Sequence, residues 1–168
     1  SLAASLRRHV TAVARGNPAF LRQMYEDDIG HNVALGLFNQ FITEKDLADH
    51  KGEINLKHTG TLPLVEAVRL LALREGIEPT STLARLGALL DGEILDRDEH
   101  DYLIGAFHHV CRLLLRQQIA DLTAGRAVSN YVDPESLTER EKDLLVDSLK
   151  AIRTLRGRMK AEFTADIF

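Results

Sequence analysis

With 168 residues, 45% of them hydrophobic and 27% charged, the chain has the size and composition of one globular domain that buries a core without disulfide or metal staples. A net charge of −4 and few aromatic residues, 5% with no Trp, argue against general attraction to nucleic acid or anionic lipid and against base-stacking platforms. No apolar run approaches the roughly 18 residues of a membrane span, and the lone Cys111 fits a reducing compartment, so a cytoplasmic protein with neither membrane nor nucleic-acid partner is expected.

The chain opens on Ser1-Leu2-Ala3, with no initiator Met and no signal-peptide core, as a piece of a longer protein would. Leu2 to Ala14 reads as an amphipathic helix whose stripe of Leu2, Leu6, Val10 and Val13 faces away from Arg7, Arg8 and Arg15. Gly16 stops it, and Asn17-Pro18 caps and opens a second helix through Phe20, Leu21 and Met24. Gly30 to Lys51 carries no clear period.

Residues 53–57 alternate apolar and polar, a short extended segment ended by Thr59-Gly60-Thr61. Thr61 then caps a helix with Pro63 in its first turn. Lys57 and His58 are thereby expected near a helix N-terminus, where a phosphate or carboxylate is favoured. That helix, Leu62 to Glu75, is apolar nearly all round and should be central. Its exceptions, Glu66 and Arg69, sit three apart and either pair with each other or point into a site. Gly76 closes it, and Thr80-Ser81-Thr82 opens a short helix.

Asp96 with Glu99 forms a capping box at the start of the longest helix, which runs to about Ala124. Two apolar stripes predict neighbours on two sides: Leu103, Phe107, Val110, Leu114, and Ile104, Cys111, Leu115, Ile119, Leu122. The last helix starts near Thr138, with core stripe Leu145, Leu149, Ile152, Leu155 and Met159 and with Lys150, Arg153, Arg156 and Lys160 away from it. Long helices, short connections and scarce strands predict an all-α antiparallel bundle of four or more main helices.

Three constellations bear on chemistry. His100-Asp101 is the dipeptide of metal-dependent helical phosphohydrolases, but it lies in a capped first turn and no further His or Asp is singled out by spacing. Asp96-Arg97-Asp98 has the Asp-x-Asp form of nucleotidyltransferase metal pairs, yet no Gly-Ser turn precedes it and capping explains it. Arg69 and the long-helix residues His108, His109, Arg112, Arg116, Gln117 and Gln118 are polar groups on otherwise apolar helices, and 109, 112 and 116 share one face, either an open cleft or a solvated stripe.

Ile54-Asn55-Leu56-Lys57-His58-Thr59-Gly60, the Arg69 helix, Thr80-Ser81-Thr82-Leu83-Ala84-Arg85-Leu86 and Leu113-Leu114-Leu115-Arg116-Gln117-Gln118 together resemble the putative nucleotidyltransferase substrate-binding domain. Asn130 to Thr138 fits that family's loop before its last helix, and the likeness runs from roughly Ala34 to Leu155. Gln117 and Thr59 stand where the family often has His and Gly. The resemblance implies a non-catalytic helical domain, C-terminal in bacterial signalling proteins that also carry CBS or cyclic-nucleotide-binding modules. It would bind substrate or partner for an upstream nucleotidyltransferase domain.

On this reading Lys57, His58, Arg69, Arg112 and Arg116 are the candidate substrate- or anion-binding residues, with no catalytic residue and no metal ligand in the chain. Mg and a nucleoside triphosphate belong to the upstream domain, and a nucleotide or protein substrate and a homodimer are further expected partners. A phosphohydrolase built on His100 and Asp101 and a purely structural dimerisation bundle are the alternatives.

Overall fold

A computed structural model describes residues 1–28 and 30–164. Helix α3 (Leu62–Glu75) is the element the others are packed on, touching α1 (Leu2–Arg15), α2 (Pro18–Asp28), α4 (Thr82–Asp91) and α6 (Glu139–Thr164). Its composition dictates this place: Leu64, Ala67, Val68 and Leu71 are fully buried, and a helix apolar on all sides is stable only when surrounded. Gly76 ends it in the left-handed region at φ 75°, its N–H closing on Ala72 and Leu73 carbonyls.

The long helix α5 (Arg97–Thr123) packs along α6. Ion pairs at both ends of the contact, Glu99 with Arg158 at 3.3 Å and Arg116 with Glu141 at 2.6 Å, fix the two helices antiparallel. The Asp96–Glu99 capping box is formed in both directions. Two short strands, β1 (Ile54–Asn55) and β2 (Tyr131–Val132), pair antiparallel with Ile54 opposite Val132 and Asn55 opposite Tyr131, tying the middle of the chain to the connection before α6. The architecture is therefore an all-α bundle with one two-stranded clip among the described residues. No described helix is long and apolar enough to cross a membrane.

Two apolar stripes face solvent, and of these only the one on α5 was expected to meet a neighbour. On α1 the buried residues are Thr11 and Ala14, whereas Leu2, Leu6, Val10 and Val13 are 87%, 60%, 51% and 54% exposed. Small residues let α1 approach α3 closely, and the larger stripe is left outward. On α5 the core is Leu103, Ala106, Val110 and Leu113, while Leu115, Ile119 and Leu122 face solvent. Only one side of that helix is covered at its C-terminal end.

Candidate functional site

The segment before α3 is more ordered than its composition suggests. Ile54 and Leu56 are buried and anchor it, and Lys57–Thr61 winds as a single π-helical turn running directly into α3. Asn55, not Thr61, is the cap: its Oδ1 accepts the backbone N–H of His58 at 3.2 Å, and its carbonyl accepts the Thr59 hydroxyl at 2.8 Å. Thr61 is already helical and its hydroxyl, though buried, has no hydrogen-bond partner. The extended stretch predicted for 53–57 thus shrinks to Ile54–Asn55, and Lys57 stands in the first turn of the helical run. The wider π ring takes up the extra residue between the strand and α3.

Gly60 completes the fixation. A Cβ there would lie 2.9 Å from Val110 Cγ1, so only glycine lets the turn rest on α5. Lys57 and His58 project from this held backbone into solvent.

Below them lies a polar cluster between α2 and α3. The His58 ring is 6.0 Å from that of His31, and His31 Nδ1 is 2.9 Å from Glu66 Oε2 and 3.4 Å from Asp28 Oδ1. Asp28 is engaged on its other side by Arg156, whose Nη1 donates to Oδ2 at 2.6 Å and Nη2 to the Asp28 carbonyl at 3.0 Å. Burial, then the neighbouring Asp28 carboxyl, push Glu66 up to about 7, so it holds a proton far above the ordinary carboxylate range. Its Oε2 is buried and the near approach of His31 lacks hydrogen-bond alignment. Donor atoms of Asp28, His31 and Glu66 lie within 4.8 Å of one another and could hold a divalent cation. Arg156 already brings positive charge to the Asp28 side of this set.

Arg69 lines a cleft of about 200 Å³ with Met24, Asp27, Asp28, Glu66 and Leu70. It does not pair with Glu66, which faces His31 and Asp28 instead. Arg112 and Arg116 lie apart from this group, around Glu141 at the start of α6. Arg116 Nη1 is 2.6 Å and Arg112 Nη2 3.9 Å from Glu141 Oε1. Glu141 also accepts the Thr138 N–H at 3.0 Å in a capping box. The Thr138 N–H, then the Arg116 guanidinium, hold its carboxyl down at about 2.

His109 belongs to the same face but is buried, with Nε2 3.1 Å from the Glu141 carbonyl and Nδ1 facing Arg112. Burial lowers its proton affinity, which leaves the neutral ring donating from Nε2. Residues 109, 112 and 116 do converge, on the end of a helix rather than on an open cleft. His100 and Asp101 bond each other at 3.0 Å beside the α5 cap, with Asp101 exposed, and neither joins the Asp28–His31–Glu66 donor set.

The family described as putative nucleotidyltransferase substrate binding domain matches residues 18–163. The chain belongs to that family. No curated protein and no solved structure matches it. The substrate-binding family's span encloses Lys57, His58, Arg69, Arg112, Arg116 and the Asp28–His31–Glu66 cluster, and begins after α1.

Within that span, sequence reasoning missed Asp28 and Arg156. The latter was expected away from the core, yet its side chain is only 14% exposed because it reaches Asp28. The signal was faint: Asp28 is the last residue of α2 before an aperiodic stretch, and Arg156 directly follows the core residue Leu155.

Proposed function

We propose that this chain is the non-catalytic binding domain of a nucleotidyltransferase-type signalling protein. On this reading it is a single helical domain, C-terminal in a longer cytoplasmic bacterial chain that also carries CBS or cyclic-nucleotide-binding modules. It receives the anionic part of a substrate and presents it to an upstream nucleotidyltransferase domain, which supplies the catalytic carboxylates, the Mg and the nucleoside triphosphate. The observation that carries the reading is Lys57, an exposed cation on a turn held by a strand, an Asn cap and a glycine contact. Such a π turn is a costly local geometry that recurs at functional sites, and its rigidity spares a ligand the entropy of ordering a loop.

His58 follows Lys57 on the same exposed turn, while Arg69 lies in the cleft beside α2 and Arg112 at the start of α6. Arg116 contributes mainly through Glu141, by fixing the start of α6.

The test is a nuclear magnetic resonance titration of the chain with nucleoside triphosphates. Backbone amides of 57–61 should shift with saturable behaviour, and Lys57→Ala should weaken the fitted affinity about tenfold, the loss expected of one charge-assisted contact. Unmoved amides at 57–61 would remove the reading. The exposed stripe of Leu2, Leu6, Val10 and Val13 favours a second role in association, with another copy or with a neighbouring domain. Sedimentation of wild type against Leu6→Glu/Val10→Glu separates it, since a stripe without a partner gives identical profiles.

A further inference from the structure

The turn that follows α2 and the middle of α3 bring three metal-ligating side chains to one point. The backbone N–H of His31 returns to the Asp28 carbonyl at 3.0 Å, which sets the imidazole over the end of α2, and Glu66 meets the ring from α3. His31 Nδ1 is the centre of the group, 2.9 Å from Glu66 Oε2 and 3.4 Å from Asp28 Oδ1, and the third side of the triangle also lies within 4.8 Å. One ring nitrogen cannot serve two carboxylate oxygens. Its hydrogen bond goes to Asp28, and Glu66 Oε2 is the atom left over: it is buried and has no hydrogen-bond partner among the described residues. A buried carboxylate oxygen without a partner is costly, and native structures rarely leave one so.

We infer that Asp28, His31 and Glu66 bind one divalent transition-metal ion of the zinc class. Imidazole and carboxylate donors hold zinc at about 2.0–2.2 Å, and at that reach two donors on one ion stand roughly 3.0 Å apart at a right angle and roughly 3.4 Å apart at the tetrahedral angle. The two contacts of His31 have these lengths. An ion seated between the donors satisfies both carboxylates at once, which a single N–H cannot. Arg156 supports the ion rather than replacing it: its Nη1 holds Asp28 Oδ2 and leaves Oδ1 on the His31 side, the outer contact that orients a ligating carboxylate. With His31 neutral, the ionised Asp28 and Glu66 against Arg156 leave a net negative charge for the ion to offset. Asp27 and Arg69, which also line the adjoining cleft, are opposite in sign and cancel. The imidazole selects against magnesium and calcium, which take oxygen donors. That cleft, of about 200 Å³ and lined by Asp28 and Glu66, admits the ion with water in its remaining position.

The site goes beyond the Lys57 surface and does not rest on it. It also shares no ligand with the His100-Asp101 pair.

The experiment is calorimetric titration of zinc into the untagged, metal-stripped chain at pH 8, above the value of about 7 at which Glu66 releases its proton, with nitrogen resonances of the histidine rings followed in parallel. Saturation at one zinc per chain is expected, with the His31 ring shifting most. Glu66→Gln and His31→Gln should each weaken binding about a hundredfold or more, since loss of an outer contact alone costs about 10–100-fold. Neither side chain fills the core, being 23% and 32% exposed, so both variants keep the wild-type circular dichroism spectrum. His100→Ala and Lys57→Ala should bind as wild type does, and magnesium in large excess should not displace the zinc. A titration without saturation, wild-type affinity in both ligand variants, loss of the ion in His100→Ala or Lys57→Ala, or displacement by magnesium would each overturn the assignment.

Discussion

Glu66 and Glu141 are both partly buried helical glutamates with histidine and arginine close by, and they end at opposite extremes. Glu66 is pushed up to about 7 and Glu141 is held at about 2. The difference lies in what reaches the carboxylate. Glu141 receives a backbone N–H and a guanidinium, both of which favour the ionised form. Glu66 meets a second carboxyl and a histidine out of alignment, and Arg156 is spent on Asp28. One acid is a structural fixture, and the other keeps an unmet demand for charge. Residue type and neighbours in sequence do not separate the two; the hydrogen-bond geometry does.

Removing Arg156 breaks the comparison most severely. The Asp28 side chain is only 8% exposed, and without Arg156 it would lose both guanidinium contacts. Arg156→Ala should cost about 3–5 kcal/mol, the usual penalty for orphaning a buried charge, measured by urea unfolding. A loss below about 1 kcal/mol would mean that the cluster is wetter than the geometry implies.

Glu66→Gln sharpens the comparison. A carboxyl whose folded-state value is raised binds more protons folded than unfolded. Its folded state is therefore fully favoured below the unfolded value and loses stability as pH rises through the window from the ordinary carboxylate value to about 7. Wild type should lose on the order of 1–3 kcal/mol across that window, and Glu66→Gln should flatten the slope and be the more stable protein at pH 8. A profile unchanged by the substitution would show that another group carries the slope.

Glu141 predicts the opposite sign. Its stabilisation is present above the unfolded carboxylate value and is lost as pH falls toward about 2. Thr138→Ala, which removes the reciprocal half of the capping box, should cost about 1 kcal/mol at neutral pH and weaken the acid limb of the unfolding curve. An acid limb identical to wild type would deny Thr138 its part in holding the carboxylate.

What was legible in the sequence was local. Asp96 with Glu99, Asn17 before Pro18, Thr138 with Glu141 and Gly76 all act within a few residues of themselves, and each marks the end it was expected to mark. Helical period found the stripes but not their partners: Leu2 to Val13 and Leu115 to Leu122 have the spacing of core faces and lie in solvent. Periodicity records which residues share a side, while tertiary packing decides what covers it. The Asp28–Arg156 pair joins the second helix to the last, and no pattern within either helix announces it. Asn55 outcompeted Thr61 as a cap because strand pairing with Tyr131 holds Asn55 in extended backbone at the turn's edge, a contact equally remote in sequence.

The contact of Gly60 with Val110 sets how the two faces of the molecule tolerate mutation. Every other amino acid brings a Cβ into a 2.9 Å collision with a β-branched side chain that has little freedom to turn within α5. Gly87, Gly105 and Gly157 lie in helices with nothing within 4 Å of a new Cβ, and alanine there should stabilise by up to about 1 kcal/mol. In a saturation library selected for folding, position 60 should thus accept essentially glycine alone while those three helical positions drift freely. Recovery of Gly60→Ala at wild-type frequency would show that the turn can lift off α5. A compensating Val110→Ala should restore alanine at position 60, marking the two positions as one inherited unit.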